Sequence, residues 1–332
     1  MGVNIGAILE PKETSLEALS GKTVAVDAYN MLYQFLSIIR QPDGTPLKDS
    51  SGRTTSHLSG LIYRTTNLME CGIKQIFVFD GKPSELKAKV IEGRSERRKE
   101  ARRKWEEAKV LLPEEAFKYA RASARIDMTI VEEAKRLLTY LGIPCVQAAS
   151  EGEAQAAYMV RRGDAELVSS QDYDSLLFGA PTMIRNLSAA RRKATPEVIE
   201  LKELEEKHGI TREELVDIAI LVGTDFNPGI KGIGVKSALK LIKRHRSIEK
   251  VIAEAKIEKI EGIENYEIIR NIFLQPDVNE SYEINWETPD EEKVKEFLCE
   301  EHNFSEERVS KALERILKSK INVSQRRIEQ WL

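Results

Sequence analysis

The sequence predicts an α/β fold organised on a largely parallel sheet. Three observations carry that expectation. Short apolar runs alternate with helical patterns along the chain. Several of these runs end in carboxylates or lead straight into them, at the place where open parallel sheets form a ligand crevice. Glycines stand just past two predicted helix ends, Gly72 and Gly142, where a left-handed residue closes the last turn.

The predicted strands are Thr23–Asp27 (TVAVD), Gln75–Asp80 (QIFVFD), Pro144–Gln147 (PCVQ) and Ala165–Ser169 (AELVS). All are short apolar runs of strand length. Predicted helices cover Ala28–Arg40, Ser56–Cys71, Thr129–Leu141, Glu153–Arg161 and Arg212–Val222. From about residue 250 to 320 the pattern is helical and mixed in charge, with no chemistry to read. The last eight residues, QRRIEQWL, are expected to form a detached tail.

A chain of 332 residues is long for one ordinary domain, although a single α/β domain with insertions also accommodates it. The apolar fraction, 41%, suffices for a sizeable core. Cys71, Cys145 and Cys299 are odd in number and form no CxxC pair, which fits buried thiols and argues against zinc or a disulfide framework. Four histidines without HExxH disfavour a zincin. The most apolar early stretch, Thr23 to Ile39, carries Asp27, Asn30 and Gln34, so no membrane span or signal peptide is expected. Residue 6 is glycine, so the myristoylation pattern fails at Gly2. These features predict a soluble, intracellular protein.

Formal charge is −3, from 51 basic and 54 acidic residues, which by itself argues mildly against nucleic acid. The distribution of the charges points the other way. Lys82–Lys104 holds ten basic residues against four glutamates, and the stretch from Lys82 to Ile130 reads as an inserted, exposed helical element. A solvated charged helix is the plain alternative. Lys231–Arg246 holds six basic residues and no acid.

The acids fall into a different pattern. Asp27 and Asp80 close predicted strands, Asp172 and Asp174 follow a third, Glu151 and Glu153 follow a fourth and open a helix, and Asp225 follows the helix ending near Val222. Clustered carboxylates repel, and they stay together by taking up protons or binding cations. Mg²⁺ takes few direct carboxylates, so seven acids suit a pair of ions better than one cage. Such a pair stabilises both oxygens of a phosphodiester hydrolysis. Each acid also has an ordinary reading as a turn residue or N-cap, and Ser150 with Glu153 spells a capping box.

Gly229, Gly232 and Gly234 form a Gly-x-x-Gly-x-Gly turn that opens the basic helix. Glycines there admit a phosphate close to backbone N–H groups, and the helix N-terminus favours an anion. No strand precedes it, so it is not a dinucleotide motif. It looks like a clamp on a DNA backbone, with an ordinary helix–turn–helix corner as the alternative. Lys87 and Arg94, in the first part of the basic insertion that follows Asp80, are placed to reach a scissile phosphate.

The residues resemble the flap endonucleases of the 5′-nuclease superfamily, in an archaeal-like form. The matching stretches are VAVDAYNMLYQFL (24–36), RTTSHLSGLIYR (53–64), FVFDGKPSELK (77–87), RSERR (94–98), SEGEAQAAYM (150–159), SQDYDSLLFG (170–179) and GTDFNPGIKGIG (223–234). The resemblance implies a three-layer, PIN-like and Rossmann-like parallel sheet with a helical arch and a helix–two-turn–helix element. It implies that Asp27, Asp80, Glu151, Glu153, Asp172, Asp174 and Asp225 hold two Mg²⁺ ions, for which Mn²⁺ substitutes. It implies that Lys87 and Arg94 engage the scissile phosphate, that Tyr33 stacks near the substrate's 5′ side, and that Gly2 lies close to the active site. Thr55 falls in a region that helps bind a 3′ flap, and the Gly229–Gly234 loop with Lys236 contacts the duplex and holds a K⁺ ion.

Gln325-x-x-Ile328-x-x-Trp331-Leu332 resembles a peptide that docks on a PCNA-like sliding clamp, with Leu332 where an aromatic is usual. A frayed tail is the alternative. No Lys-rich C-terminal extension is present, so a cytoplasmic, nucleoid-associated protein is expected rather than a nuclear one. The expected regions are 1–98 (with an arch insertion at about 82–130), 140–225, 223–255, 256–320 and the tail 325–332. The expected activity is 5′-flap endonuclease with 5′-3′ exonuclease, on flap and nicked duplex DNA, in Okazaki fragment maturation and repair. Two rivals remain at this point: a related 5′ nuclease for other branched DNA, and a non-catalytic, clamp-associated DNA-binding scaffold.

Overall fold

Alternation within the strands explains the layering. In the strand Thr23–Asp27, Val24 and Val26 join one buried cluster and Ala25 another; in the strand Lys74–Phe79, Phe77 and Phe79 join the first and Ile76 and Val78 the second. Both faces are apolar, so both need a helical cover. One face receives Leu32 and Phe35 of the helix Ala28–Ile38, Ala134 and Leu138 of the helix Met128–Tyr140, and Val309 and Leu313 of the final helix Glu306–Glu329. The other receives Ala154 and Ala157 of the helix Gly152–Arg162, Leu215 and Ile218 of the helix Arg212–Val222, and Ala238 and Ile242 of the helix Val235–His245. The structure is a computed structural model. It describes residues 2–82, 86–87, 98–106, 108, 113–189, 194–254 and 262–329, and only the backbone of 113–117 and 318–329.

The strands are β1 (Lys12–Glu13), β2 (Thr23–Asp27), β3 (Lys74–Phe79), β4 (Cys145–Gln147), β5 (Leu167–Ser169), β6 (Thr182–Arg185) and β7 (Glu197–Glu200). They form one sheet in the order β1-β7-β6-β5-β2-β3-β4, parallel from β4 through β6, with β7 and β1 antiparallel at one edge. From β2 the chain steps outward to β3 and β4, and then to the opposite side through β5 and β6. The switch point lies between β2 and β5, so a crevice is expected beyond Asp27 and Ser169.

The parallel sheet agrees with the sequence, and all four expected strands are present within two residues of their predicted ends. Three further strands carry no clear signal in the sequence. β1 spans only two exposed residues, and β6 and β7 span four each, too short for a two-residue period to stand out. The expected helix Ser56–Cys71 is interrupted by a π turn, Leu61–Thr65, between Ser56–Gly60 and Thr66–Glu70. Gly72 and Gly142 have φ of 79° and 68°, as the helix ends require.

Among the described residues of the basic insertion, 98–106 are helical and the helix Pro113–Ala122 follows. Trp105 is buried rather than exposed: its indole N–H donates to Asp43 O at 3.3 Å and Arg40 lies over its ring. The tail also differs from expectation. The backbone of 325–329 continues the final helix instead of leaving it, while Trp331 and Leu332 lie outside the described residues. The described side chains of the C-terminal region join the two sheet-face clusters rather than a core of their own. Ile269 and Phe273 pack in one sheet-face cluster, and Phe297 and Leu313 in the other. No helix among the described residues is long and apolar enough to cross a membrane.

Candidate active site

Six of the seven predicted acids are placed by the carboxyl ends of β2, β3, β4 and β5. Asp27 is the last residue of β2 and also caps the next helix, its Oδ1 accepting from Asn30 N–H at 3.0 Å. The N-cap reading of this residue is therefore realised alongside any other. Asp80 follows β3, and its Oδ1 accepts from Gly152 N–H at 2.7 Å, which draws the start of the helix Gly152–Arg162 over the strand end. Helix N-termini favour negative charge, so this element suits an acidic rim.

Glu151 occupies the N-cap position of that helix without capping it through its side chain. The capping box spelled by Ser150 and Glu153 does not form. The helix begins one residue later than such a box requires, and Glu153 turns instead to accept from Ser170 Oγ at 2.8 Å. Asp172 lies in the turn after β5, where Asn30 Nδ2 donates to its Oδ2 at 3.0 Å. Asp174 opens a short helix, and its Oδ1 accepts from Val3 N–H at 2.7 Å. Asp225 follows the helix Arg212–Val222.

The electrostatics tie all seven into one cluster. Burial, then the charges of Asp80 and Asp172, pushes the Asp27 carboxyl up to about 8. Burial, then Asp225 and Asp172, pushes Asp174 up to about 7. Glu153 is raised well above the carboxylate range by burial and by Asp174, Asp27 and Asp172. Glu151 is raised by burial, with Asp80 and Asp225 adding to it and Lys87 opposing. Among the described residues, no three His, Cys, Asp or Glu side chains stand close enough to enclose an ion as they are turned here. Their donors explain the spacing, because a separate N–H or O–H holds Asp27, Asp80, Glu153, Asp172 and Asp174, and an ammonium holds Glu151. In donor type and in unrelieved negative charge, the set fits hard divalent cations.

These shifts have a consequence for stability. A carboxyl raised in the folded state favours folding while it is protonated. That contribution is complete below about pH 4, the unfolded value, and is lost as pH climbs through the folded one. In EDTA the wild type is therefore expected to lose melting temperature relative to Asp27→Asn as pH rises from 5 to 8.5. Thermal melts across that range check the sign, and added Mg²⁺ should narrow the gap. A wild type that gains on the variant with rising pH would contradict the assignment.

A cation, Lys87, reaches into the cluster. It pairs with Glu151, and although burial alone would lower its ammonium, the charges of Glu151, Asp80 and Asp225 outweigh burial and raise it above the lysine range. Arg94 lies outside the described residues. Gly2 packs against the acids: a Cβ there would stand 2.6 Å from Asp174 Oδ1 and 2.8 Å from Asp172 Cβ, so a side chain would displace one of them. Tyr33, on the helix that Asp27 caps, is 37% exposed. Thr55 is only 4% exposed and presents almost no surface.

The glycine loop packs back on the same C-terminal end of the helix Arg212–Val222 that Asp225 follows, with Ile230 N–H donating to Leu221 O at 2.9 Å. Gly229 has φ 75°, and a Cβ there would lie 2.4 Å from Gly223 N, so the turn closes only with glycine. Asn227 staples it, donating from Nδ2 to Ile220 O and Gly262 O at 2.8 Å each. Gly232 and Gly234 face open space, and Gly234 starts the helix Val235–His245 without a side-chain cap. Lys236, Lys240, Lys243 and Arg244 are exposed on that helix while Ala238 and Ile242 are buried beneath it.

Sequence reasoning missed the neutral groups that hold the acids: Asn30, Ser170 and the Val3 N–H. Only Asn30 carries a signal, standing three residues after a capping aspartate.

Residues 1–101 match the XPG N-terminal domain and residues 142–225 match the XPG I-region. Flap endonuclease 1 of Methanocella arvoryzae is 55% identical over 326 residues, covering 95% of each chain. Flap endonuclease 1 of Archaeoglobus fulgidus is 52% identical over the whole of both chains. The solved flap endonuclease-1 from Methanococcus jannaschii superposes with a TM-score of 0.79 at 40% identity, covering 97% of this chain and 99% of that one.

Proposed function

The chain belongs to the flap endonuclease family and is a 5′ flap endonuclease; from that premise we propose that it cuts near the flap base by divalent-ion-dependent hydrolysis at the seven-carboxylate cluster. The observation that carries this reading is the mutual elevation of buried carboxylates at the sheet's switch point, a charge pattern that cations relieve.

Asp27, Asp80, Glu151, Glu153, Asp172, Asp174 and Asp225 would hold two Mg²⁺ ions, or Mn²⁺ in their place. Ions of this kind acidify an attacking water and offset charge building on the phosphodiester. The chain's own groups do the rest. Lys87, and with it Arg94, draws the scissile phosphate toward the acids. The bare backbone at Gly2 lets the N-terminal segment lie against Asp172 and Asp174. Tyr33 offers an exposed ring for stacking on the 5′ side. The amides of Gly232 and Gly234, with Lys236, grip the duplex backbone, and K⁺ in this loop would join the same contact. Thr55, buried at the start of the helix Ser56–Gly60, would contribute to a 3′-flap site by fixing the backbone there rather than by side-chain contact.

The same centre serves 5′-3′ exonuclease action on nicked duplex, and the setting is Okazaki fragment maturation and repair beside the nucleoid. The regions 1–98 and 140–225 carry the nuclease centre and 223–255 the duplex grip. End-labelled double-flap DNA, with duplex and single-stranded controls, tests the reading in Mg²⁺, Ca²⁺ or EDTA. A single Mg²⁺-dependent cut near the flap junction is expected. Binding without cutting would favour the scaffold, and equal cutting of all substrates a general exonuclease.

The C-terminal residues Gln325, Ile328, Trp331 and Leu332 are assigned to a PCNA-like sliding clamp. Deleting 325–332 is expected to leave clamp-free cleavage within about twofold and to abolish stimulation by clamp, measured as the ratio of initial rates with and without it. Retained stimulation would remove this assignment.

A further inference from the structure

We infer that Asn30 is a positioning residue for Asp172, fixing how the two sides of the switch point present their carboxylates; the inference rests on reading those carboxylates as the ion-holding site. Asn30 stands in the first turn of the helix Ala28–Ile38 and is engaged at three polar groups. Its N–H donates to Asp27 Oδ1, its Nδ2 donates to Asp172 Oδ2, and its Oδ1 accepts from Gln171 N–H, each at 3.0 Å. The ladder between β2 and β5 ends at Val26 and Ser169. Asn30 extends the connection beyond that end, from the helix after β2 to the turn after β5.

The connection continues through a second neutral group. Asp172 N–H donates to Ser170 Oγ at 3.2 Å, and that hydroxyl donates to Glu153 Oε1 at 2.8 Å. Asp27, Asp172 and Glu153 thus lie on one run of hydrogen bonds whose links carry no charge. The chemistry of the linking residue matters. A lysine or arginine would neutralise Asp172 and compete with a divalent cation, and a further carboxylate would add to the repulsion. A carboxamide supplies a donor and an acceptor in one rigid plane, so it steers a carboxylate while leaving its charge intact. With Oδ2 engaged, the rotation of the Asp172 carboxylate is set before an ion arrives.

Calorimetric titration with Mn²⁺ alone tests this in the wild type, Asn30→Ala, Asn30→Leu, Asp172→Ala and the double variant Asn30→Ala/Asp172→Ala. Asn30→Leu fills the same space without hydrogen bonds and so separates packing from positioning. Both Asn30 variants are expected to weaken Mn²⁺ binding about 10–100-fold. In the Asp172→Ala background, Asn30→Ala should cost less than about threefold more, because its target is gone. With flap DNA, kcat should fall while KM stays within about twofold. Wild-type Mn²⁺ affinity in Asn30→Leu, or losses that multiply in the double variant, would overturn the positioning role. If Asp172→Ala itself leaves Mn²⁺ binding unchanged, the ion-site reading fails and this inference with it.

Discussion

Asp172→Ala is expected to slow single-turnover flap cleavage by roughly 10³-fold or more, about 4 kcal/mol of barrier, while flap-DNA affinity in Ca²⁺ changes less than about threefold. The two readouts separate because the groups concerned are separate in the fold. Asp172 sits in the turn after β5 at the switch point, whereas the exposed Lys236, Lys240, Lys243 and Arg244 lie on the helix beyond the glycine loop. Phosphate contacts of the second kind supply affinity and leave the chemistry untouched. A third readout follows from the repulsion. Asp172 is among the charges that raise Asp27, Glu153 and Asp174, so its removal should raise the melting temperature in EDTA. A functional site that stores unfavourable charge commonly gains stability when that charge is deleted. Unchanged cutting by Asp172→Ala would remove the metal-site assignment, and a lower melting temperature would remove the account of mutual repulsion.

Legibility in the sequence tracks charge and periodicity. β2 and β3 alternate buried residues between two apolar faces, β2 ending in Asp27 and β3 running straight into Asp80, so both the strands and these acids are visible in VAVDAYN and FVFDGKP. β6 and β7 are four residues each, and β7 begins and ends with the glutamates Glu197 and Glu200, which mask a half-buried strand. The box spelled by Ser150 and Glu153 misleads because the helix starts at Gly152, so Glu153 comes too early in its first turn to reach back. Its real counterpart, Thr211 with Glu214, opens the helix Arg212–Val222. Asn30 and Ser170 leave no trace in a charge pattern, since a neutral side chain that orients a carboxylate looks like any other polar residue near a turn. Trp105 is hidden for another reason. Ten basic neighbours make its surroundings read as solvated, yet the indole is held over the turn at Asp43.

Lys87→Met is expected to lower the single-turnover rate about 10²-fold and to move the acidic limb of the pH–rate profile upward. The size follows from removing one preorganised cation that would face a developing phosphate charge in a site largely screened from water. The direction of the pH effect follows from the pair. Lys87 holds the Glu151 carboxyl down against burial and against the charges of Asp80 and Asp225. Without the ammonium, Glu151 needs a higher pH to ionise, so any step that requires its carboxylate begins at a higher pH. Lys87→Arg keeps the charge but replaces a point ammonium with a planar fork, and it should recover the pH limb more fully than the rate. Single-turnover rates from pH 6 to 9 at saturating Mg²⁺ distinguish these effects. A rate loss with an unmoved limb would leave Lys87 as a phosphate contact alone. A limb that moves to lower pH would contradict the pairing with Glu151, because deletion of a neighbouring cation cannot ease the ionisation of a buried acid.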